Sequence, residues 1–480
     1  MDGKAILTAV MRRARGLRAE YGLGLLLALQ LWLIVSHSPW RDELQAYLQV
    51  RDSPGLGGLF ANLHYEGHPA LWYLILGVLQ AVIHSPAALK AAQVLVALSV
   101  TALVWLRAPF PPWLKLLILA GYFPLFEYGV IARNYGVGEV LVFAWLALRR
   151  TPWSWLILAL MANVAVNFAF LSGVLVLAGL WIERRWSWAG VALWAVAGLA
   201  AVATIIPAHD VSTGALALPL WVRWIEALRR ESAILVPALV GVWPYRWQVL
   251  VSPLESPLPA AIVGVIAAGL AAWAVARDRR ASVLMIMLFL AMTAMSALVY
   301  TTYPRHVGVL VLLAIALEWI RVERGGETVS RAFLGWISLS ALCGLWAAVW
   351  ALFVPFSYGR QEIDWIRAHH LENARWAAYP GYVGSDIASY VGRPTYNLQK
   401  QCLNTFIRWD THAYDDVDDD DLADEISQPG PFAYLASDKD LSFLKAPLKL
   451  IARFDRGLGD NDVFLYAVER PSGGAAPTCR

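Results

Sequence analysis

Apolar runs long enough to cross a bilayer recur through the first 355 residues, and short loops bearing arginine separate them. A lipid core offers the backbone no hydrogen-bond partners, so a run of ~20 apolar residues crosses it as a helix. Composition agrees, at 59% hydrophobic and 16% charged, where soluble chains sit near half and about a quarter. The net charge is only +3, and the arginines sit in loop clusters rather than on one basic face. That distribution excludes nucleic acid as a partner and leaves membrane lipids as the surroundings.

Spans are expected at 21–36, 87–106, 113–126, 136–148, two short ones within 153–182, and 188–206. Further spans are expected at 233–249, 258–276, 281–300, 307–320 and 332–354. The fold class is therefore a polytopic α-helical membrane protein with about 11–13 transmembrane helices. Arginine clusters at 12–18, 107–115, 149–150, 184–185, 277–280 and 321–331 belong to the cytoplasm by the positive-inside rule. Loops 37–70, 127–135, 207–232 and 301–306 then lie outside, as does everything after 355. Residues 71–83 are apolar enough to cross, but a crossing there would invert every later loop, so an interfacial helix is expected. The basic stretch 1–18 before the apolar 21–35 resembles a signal peptide, yet no small-residue cleavage site follows. A retained anchor is expected.

Two segments depart from simple spans. Residues 153–182 are long for one helix and carry Asn163 and Asn167 midway. Two short helices meeting near Asn167 would keep both flanking arginine loops inside and imply a groove, since irregular backbone at that depth needs a protein-lined or wet cavity. From about 356 the composition turns polar, with strand-like alternation at 432–435 and 462–468 and a helical stretch at 362–370. The chain thus divides into a membrane module, 1–355, and a small extracytoplasmic α/β domain, 356–480. Cys343 falls inside an apolar helix as a core residue, whereas Cys402 and Cys479 lie in the tail and could pair in an oxidising compartment. The acidic run 415–421, with Asp424 and Glu425, reads as a solvated loop or helix start, because the ligand alternation and turn glycine of a calcium loop are missing.

Candidate chemistry gathers in the outside loops. The first holds Trp40-Arg41-Asp42-Glu43, then Glu66-Gly67-His68-Pro69-Ala70-Leu71-Trp72-Tyr73. Adjacent carboxylates beside a membrane helix must face water or a partner; Asp42 serves equally well as a helix cap. Glu66 and His68 form half of a divalent-metal site, which His64 or His209-Asp210 would have to complete. The second loop offers Glu127, Arg133 and Tyr135, and near the last spans stand Tyr303-Pro304-Arg305-His306. Guanidinium matches phosphate oxygens in a fork, while an ion pair within the loop is the plainer reading.

An acidic pair after the first span, a His-Pro-x-Leu-Trp-Tyr stretch, and an acid followed by Ala-Arg-x-Tyr together resemble the polyprenyl-phosphate-sugar-dependent transferases of the GT-C fold. Protein O-mannosyltransferases and the lipid A aminoarabinose transferases belong there. The resemblance is strongest over 37–150, weaker to 320 and negligible in the tail. It departs in having one proline at His68-Pro69-Ala70, where many relatives have two, and in a long gap between Glu127 and Arg133. From their place in the outside loops, Glu43 is a catalytic candidate, and Tyr135 and Arg305 are donor-phosphate candidates. The resemblance implies Asp42 as general base, with Glu127 as the second acid of the active site. It implies Arg133 at the donor phosphate, and metal or donor contacts at Glu66 and His68. It also implies a bacterial inner-membrane enzyme that moves a sugar from a polyprenyl-phosphate donor to an extracytoplasmic acceptor (lipid, glycan or protein) by one inverting displacement. The alternative is a transporter or flippase; that class should show mid-membrane charge and internal repeats, and neither is evident in the sequence.

Overall fold

The computed structural model describes residues 3–211, 218–238, 240, 247, 257–326, 328–414, 417–459 and 461–479. Most of the expected span 233–249 after 238, and residues 415 and 416 of the acidic run, lie outside the described residues. Helices α1 (Gly3–Ser36), α2 (Arg41–Asp52), α3 (Gly55–Leu63), α4 (Leu71–Gln80), α5 (Ala87–Arg107) and α6 (Pro112–Leu119) come first. Then follow α7 (Asn134–Leu148), α8 (Trp153–Met161), α9 (Val166–Trp181), α10 (Trp188–Ile205), α11 (Leu220–Glu231) and α12 (Pro257–Ala274). The last are α13 (Arg279–Leu298), α14 (Pro304–Glu323), α15 (Arg331–Phe353), α16 (Gly359–Ala368), α17 (Ser385–Tyr390) and α18 (Asp419–Ser427).

Five helical segments among the described residues are long and apolar enough to cross a membrane: Arg18–Ser36, Ala87–Arg107, Trp188–Ile205, Arg279–Leu298 and Arg331–Phe353. Their bounds fall within a few residues of the spans expected from the sequence. Helix α4 has ten residues, about 15 Å of rise, which is half of a ~30 Å hydrocarbon core. It is too short to cross alone. The expected span 113–126 is also not one helix: α6 stops at Leu119, and Tyr122–Glu127 winds into a π-helical turn.

The chain forms two compact units. The helical unit comprises Met1–Ser36, Gln93–Ala201 and Ala215–Leu352. Helix α14 runs through it buried from Pro304 to Ile320. The break between α8 and α9 falls at 162–165, where Asn163 sits, and the amide of Asn163 donates to Ala159 O and Ala197 O at 3.0 Å each. An interrupted helix leaves backbone carbonyls without partners, and this side chain supplies a donor there. The loops expected to share one side do meet at one end of the unit. Arg149 joins Glu183 and Glu323, Arg277 donates to Thr328 Oγ1, and Ser330 Oγ to Ala274 O.

The second unit comprises His37–Ala92, Val202–Gly214 and Phe353–Arg480. Its centre is a six-stranded sheet of order β3-β2-β1-β4-β6-β5. The strands are β1 (Trp376–Tyr379), β2 (Thr395–Asn397), β3 (Cys402–Asn404), β4 (Tyr434–Ser437), β5 (Leu448–Phe454) and β6 (Val463–Val468). Strand β1 runs parallel to β2 and β4, and the remaining pairs are antiparallel. Side chains alternate across the sheet, so both faces need cover. Ile363 and Ile366 of α16 and Ile387 of α17 pack with Trp376 and Ala378 on one face; Leu422 and Ile426 of α18 pack with Ala377, Leu435 and Tyr466 on the other. This is the small α/β fold expected of the tail. The tail does not fold apart from the rest, however, because the first loop with α2, α3 and α4 joins the same unit.

Cys402 and Cys479 are disulfide-bonded, and Cys343 is buried as a core residue.

Candidate functional site

Four of the candidate residues fall in the helical unit, on the stretch from the π-helical turn to α7 and at the start of α14. A π turn is wider than an α turn and leaves carbonyls without their i+4 partners. Gln30 of α1 fills that need, its Nε2 lying 2.7 Å from Pro124 O and 3.3 Å from Leu125 O. Gly129 permits this approach, since a Cβ there would stand 2.1 Å from both Gln30 Nε2 and Pro124 O. Gln93 Nε2 donates to Tyr128 O at 2.9 Å, and Tyr128 Oη donates to Arg305 O at 2.6 Å. These bonds fix 122–135 against the start of α14.

Glu127 is 2% exposed, and its Oε2 accepts from Tyr122 Oη at 2.8 Å and from Trp247 Nε1 at 2.7 Å. It lies just past the expected span. Burial pushes its carboxyl up, against those two hydrogen bonds and the Arg305 and Arg133 charges, which favour the ionised form. Arg305 lies over Trp247 and Tyr303, 5.7 and 4.8 Å from the ring centroids. Arg133 lies 5.5 Å from the Tyr135 ring. Tyr135 stacks on Tyr128 at 5.6 Å and meets His306 edge-on at 5.7 Å. His306 Nδ1 accepts from Tyr303 N at 2.8 Å, so Nε2 is the nitrogen that carries the proton in the neutral ring. Glu127, Arg133, Tyr135 and Arg305 therefore form one cluster: two guanidiniums around one buried carboxylate, walled by aromatic rings.

Asp42, Glu43, Glu66 and His68 fall in the second unit. Asp42 is the second residue of α2 and half-buried. The cap of that helix comes from its neighbour. Glu43 is fully buried, with Oε2 accepting from Trp40 N at 2.7 Å and lying 2.8 Å from His37 Nε2. That is the reciprocal half of a capping box, a backbone-holding use that the sequence reading of two equivalent acids did not separate. Glu66 accepts on one oxygen from both Gln45 and Gln49, at 2.7 Å each. Gly67, with φ of 66°, makes the turn to His68, a left-handed conformation that glycine adopts readily.

Two of the residues that would complete a metal site make hydrogen bonds of their own. His64 Nδ1 bonds Ile206 O at 2.7 Å, and Asp210 accepts from Tyr65 Oη at 3.0 Å. Among the described residues no three His, Cys, Asp or Glu side chains are grouped to hold a metal ion.

Trp247, Tyr122, Gln45 and Gln49 had no role in the sequence reading. Trp247 sits within 233–249, whose apolar character pointed only to a span, and the glutamines act through partners distant in sequence. No protein-family model, curated protein or solved structure matches the chain.

Proposed function

We propose that this chain is a membrane glycosyltransferase of GT-C type, with about 11–13 spans, that moves a sugar from a polyprenyl-phosphate donor to an extracytoplasmic acceptor at the bacterial inner membrane. The observation that carries this reading is the Arg133–Arg305 pair set around Glu127. The two guanidiniums supply positive charge of the kind that stabilises a leaving phosphate. In the reaction the acceptor hydroxyl oxygen attacks the anomeric carbon and the bond from that carbon to the phosphate oxygen breaks. The electron pair leaves with the phosphate, and the hydroxyl proton passes to Asp42, the base that the GT-C resemblance assigns. One displacement inverts the anomeric centre. Arg133 and Arg305 neutralise the departing phosphate, Tyr135 and His306 supply neighbouring hydrogen-bond donors, and Glu127 orients the arginines. No step runs through a metal.

The test is transfer from a radiolabelled polyprenyl-phosphate sugar to envelope acceptors by purified Asp42→Asn. Loss of a general base costs roughly 10²–10⁴-fold, and expression and melting temperature should stay at wild-type values. Activity above about a tenth of wild type removes Asp42 from the mechanism.

One observation favours a transporter instead. Glu139 in α7 is fully buried, and among the described residues neither carboxylate oxygen has a hydrogen-bond partner; an acid in a membrane helix is often a coupling site. If vesicles holding the protein translocate a lipid-linked sugar, Glu139→Gln stops it, and no sugar transfer is detected, the transporter reading replaces the transferase.

A further inference from the structure

The second unit contains a cleft of about 690 Å³ that none of the roles above uses. Its walls come from the β2–β3 connection, the segment 403–412, Asn62 of α3 and the Cys402–Cys479 bridge near the C-terminus. The bridge and the backbone bonds Leu403 N to Pro477 O, 2.8 Å, and Cys479 N to Leu403 O, 3.0 Å, fix one wall in place. The volume falls within the ~300–1,000 Å³ typical of small-ligand sites.

The charges in the cleft are not equivalent. Lys400 Nζ lies 2.7 Å from Asp410 Oδ2 and 2.8 Å from Arg408 O, so it is neutralised in place. Asp52 is held by Arg51 at 2.6 Å. Arg408 differs. Its Nε donates to Asn62 Oδ1 at 3.0 Å and its guanidinium lies 5.6 Å from the Tyr65 ring. Among the described residues no carboxylate forms an ion pair with it, and its terminal nitrogens make no hydrogen bond. A guanidinium steered by its Nε and offering both terminal nitrogens is a fork for a carboxylate or phosphate.

The rest of the lining is mixed, and more of it is apolar than polar. Gln399, Asn404, Thr405 and Thr478 bring amides and hydroxyls, and Pro54, Pro394, Leu403 and Phe406 bring apolar surface. Such a lining suits sugar rings, which are polar at their edges and apolar on their faces. We propose that this cleft binds an acidic oligosaccharide, a short glycan whose carboxylate or phosphate docks on Arg408. Taking that glycan as the acceptor rests on the transferase reading above; the binding itself does not.

The test uses the full chain in nanodiscs and measures affinity for four probes: a uronate-containing disaccharide, a phosphorylated disaccharide, the matching neutral disaccharide, and inorganic phosphate. The acidic disaccharides should bind at least about ten-fold tighter than the neutral one, and inorganic phosphate should not compete at matched concentration. Which acidic probe binds tighter identifies the anion. Arg408→Ala should weaken the acidic probe roughly 10–100-fold and leave the neutral one unchanged, with Arg408→Lys in between. Thr405→Trp, which fills the cleft and leaves Arg408 in place, should block both and guards against a folding defect in the arginine variants. Equal affinity for acidic and neutral probes, binding by inorganic phosphate alone, or Arg408→Ala with wild-type affinity overturns the proposal. Asp42→Asn separates the two readings. If it binds the acidic probe normally but wild type transfers no sugar, the cleft stands and the transferase reading falls. If wild type transfers sugar while the acidic probe never binds, the reverse holds.

Discussion

The two ends of the helical unit use the same residue types in different proportions. At one end Arg149 and Arg150 meet Glu183 and Glu323, with Arg149 3.0 Å from Glu183 and 2.5 Å from Glu323. Arg321 pairs with Glu318 nearby, and Arg185 donates to Arg149 O at 2.7 Å. At the other end Arg133 and Arg305 act on the carboxyl of Glu127 and lie against the rings of Tyr135, Tyr303 and Trp247. Ion pairs tie helix ends together at the first. At the second the guanidiniums lie against aromatic rings, which attract a cation through their faces without cancelling its charge.

Breaking the ion-paired end should cost the most, and should cost stability alone. Arg149→Ala leaves Glu183 without its partner and Glu323 with Arg150 alone, a loss of about 3 kcal/mol, the low end for buried pairs. Thermal unfolding of the purified protein in detergent measures it, and donor affinity in the surviving folded fraction should match wild type. If donor affinity falls instead, the two ends are not functionally distinct.

The Glu127 end should show the opposite pattern. Arg305→Ala is expected to lower turnover roughly 10²–10³-fold, the scale of losing one group aimed at developing charge. Donor affinity should weaken with it. A variant that transfers sugar at the wild-type rate would mean that Arg305 only packs against Trp247 and Tyr303.

The smallest effect concerns pH. Because burial raises the Glu127 carboxyl, it takes up its proton at a higher pH than a free glutamate. If its ionised form orients the arginines, turnover should begin to fall above the ordinary carboxylate range as the medium is acidified, and recover as pH rises. Glu127→Gln should flatten that limb at a constant reduced rate. An acid limb unchanged in the variant assigns the titration to another group.

How much of this was legible depends on the range of each interaction. The bounds of five spans and the strand at 462–468 follow from local periodicity and emerged close to expectation, and the break within 153–182 falls at 162–165, a few residues before Asn167. The roles of Glu43 and Glu66 did not. Two neighbouring acids look alike in sequence, but α2 turns Glu43 inward towards Trp40 N and His37 and leaves Asp42 half-exposed. Glu66 is bound by glutamines 17 and 21 positions earlier, a pairing that hydrophobic pattern does not encode. The π-helical turn at Tyr122–Glu127 was hidden for a related reason, since Gln30 and Ser340, distant in the chain, hold it open.

One pair of hydrogen bonds bears on the order of assembly. Gln45 of α2 grips the backbone of Ile407 in both directions, Nε2 to O at 2.6 Å and N to Oε1 at 2.9 Å, across 362 positions of chain. The ribosome finishes α2 early, yet the residue that pins it emerges only after every membrane helix has been made. Contacts of such long separation form late. Helix α2, and with it Asp42, acquires this anchor only once the tail has been synthesised and folded, so a chain interrupted during synthesis lacks it.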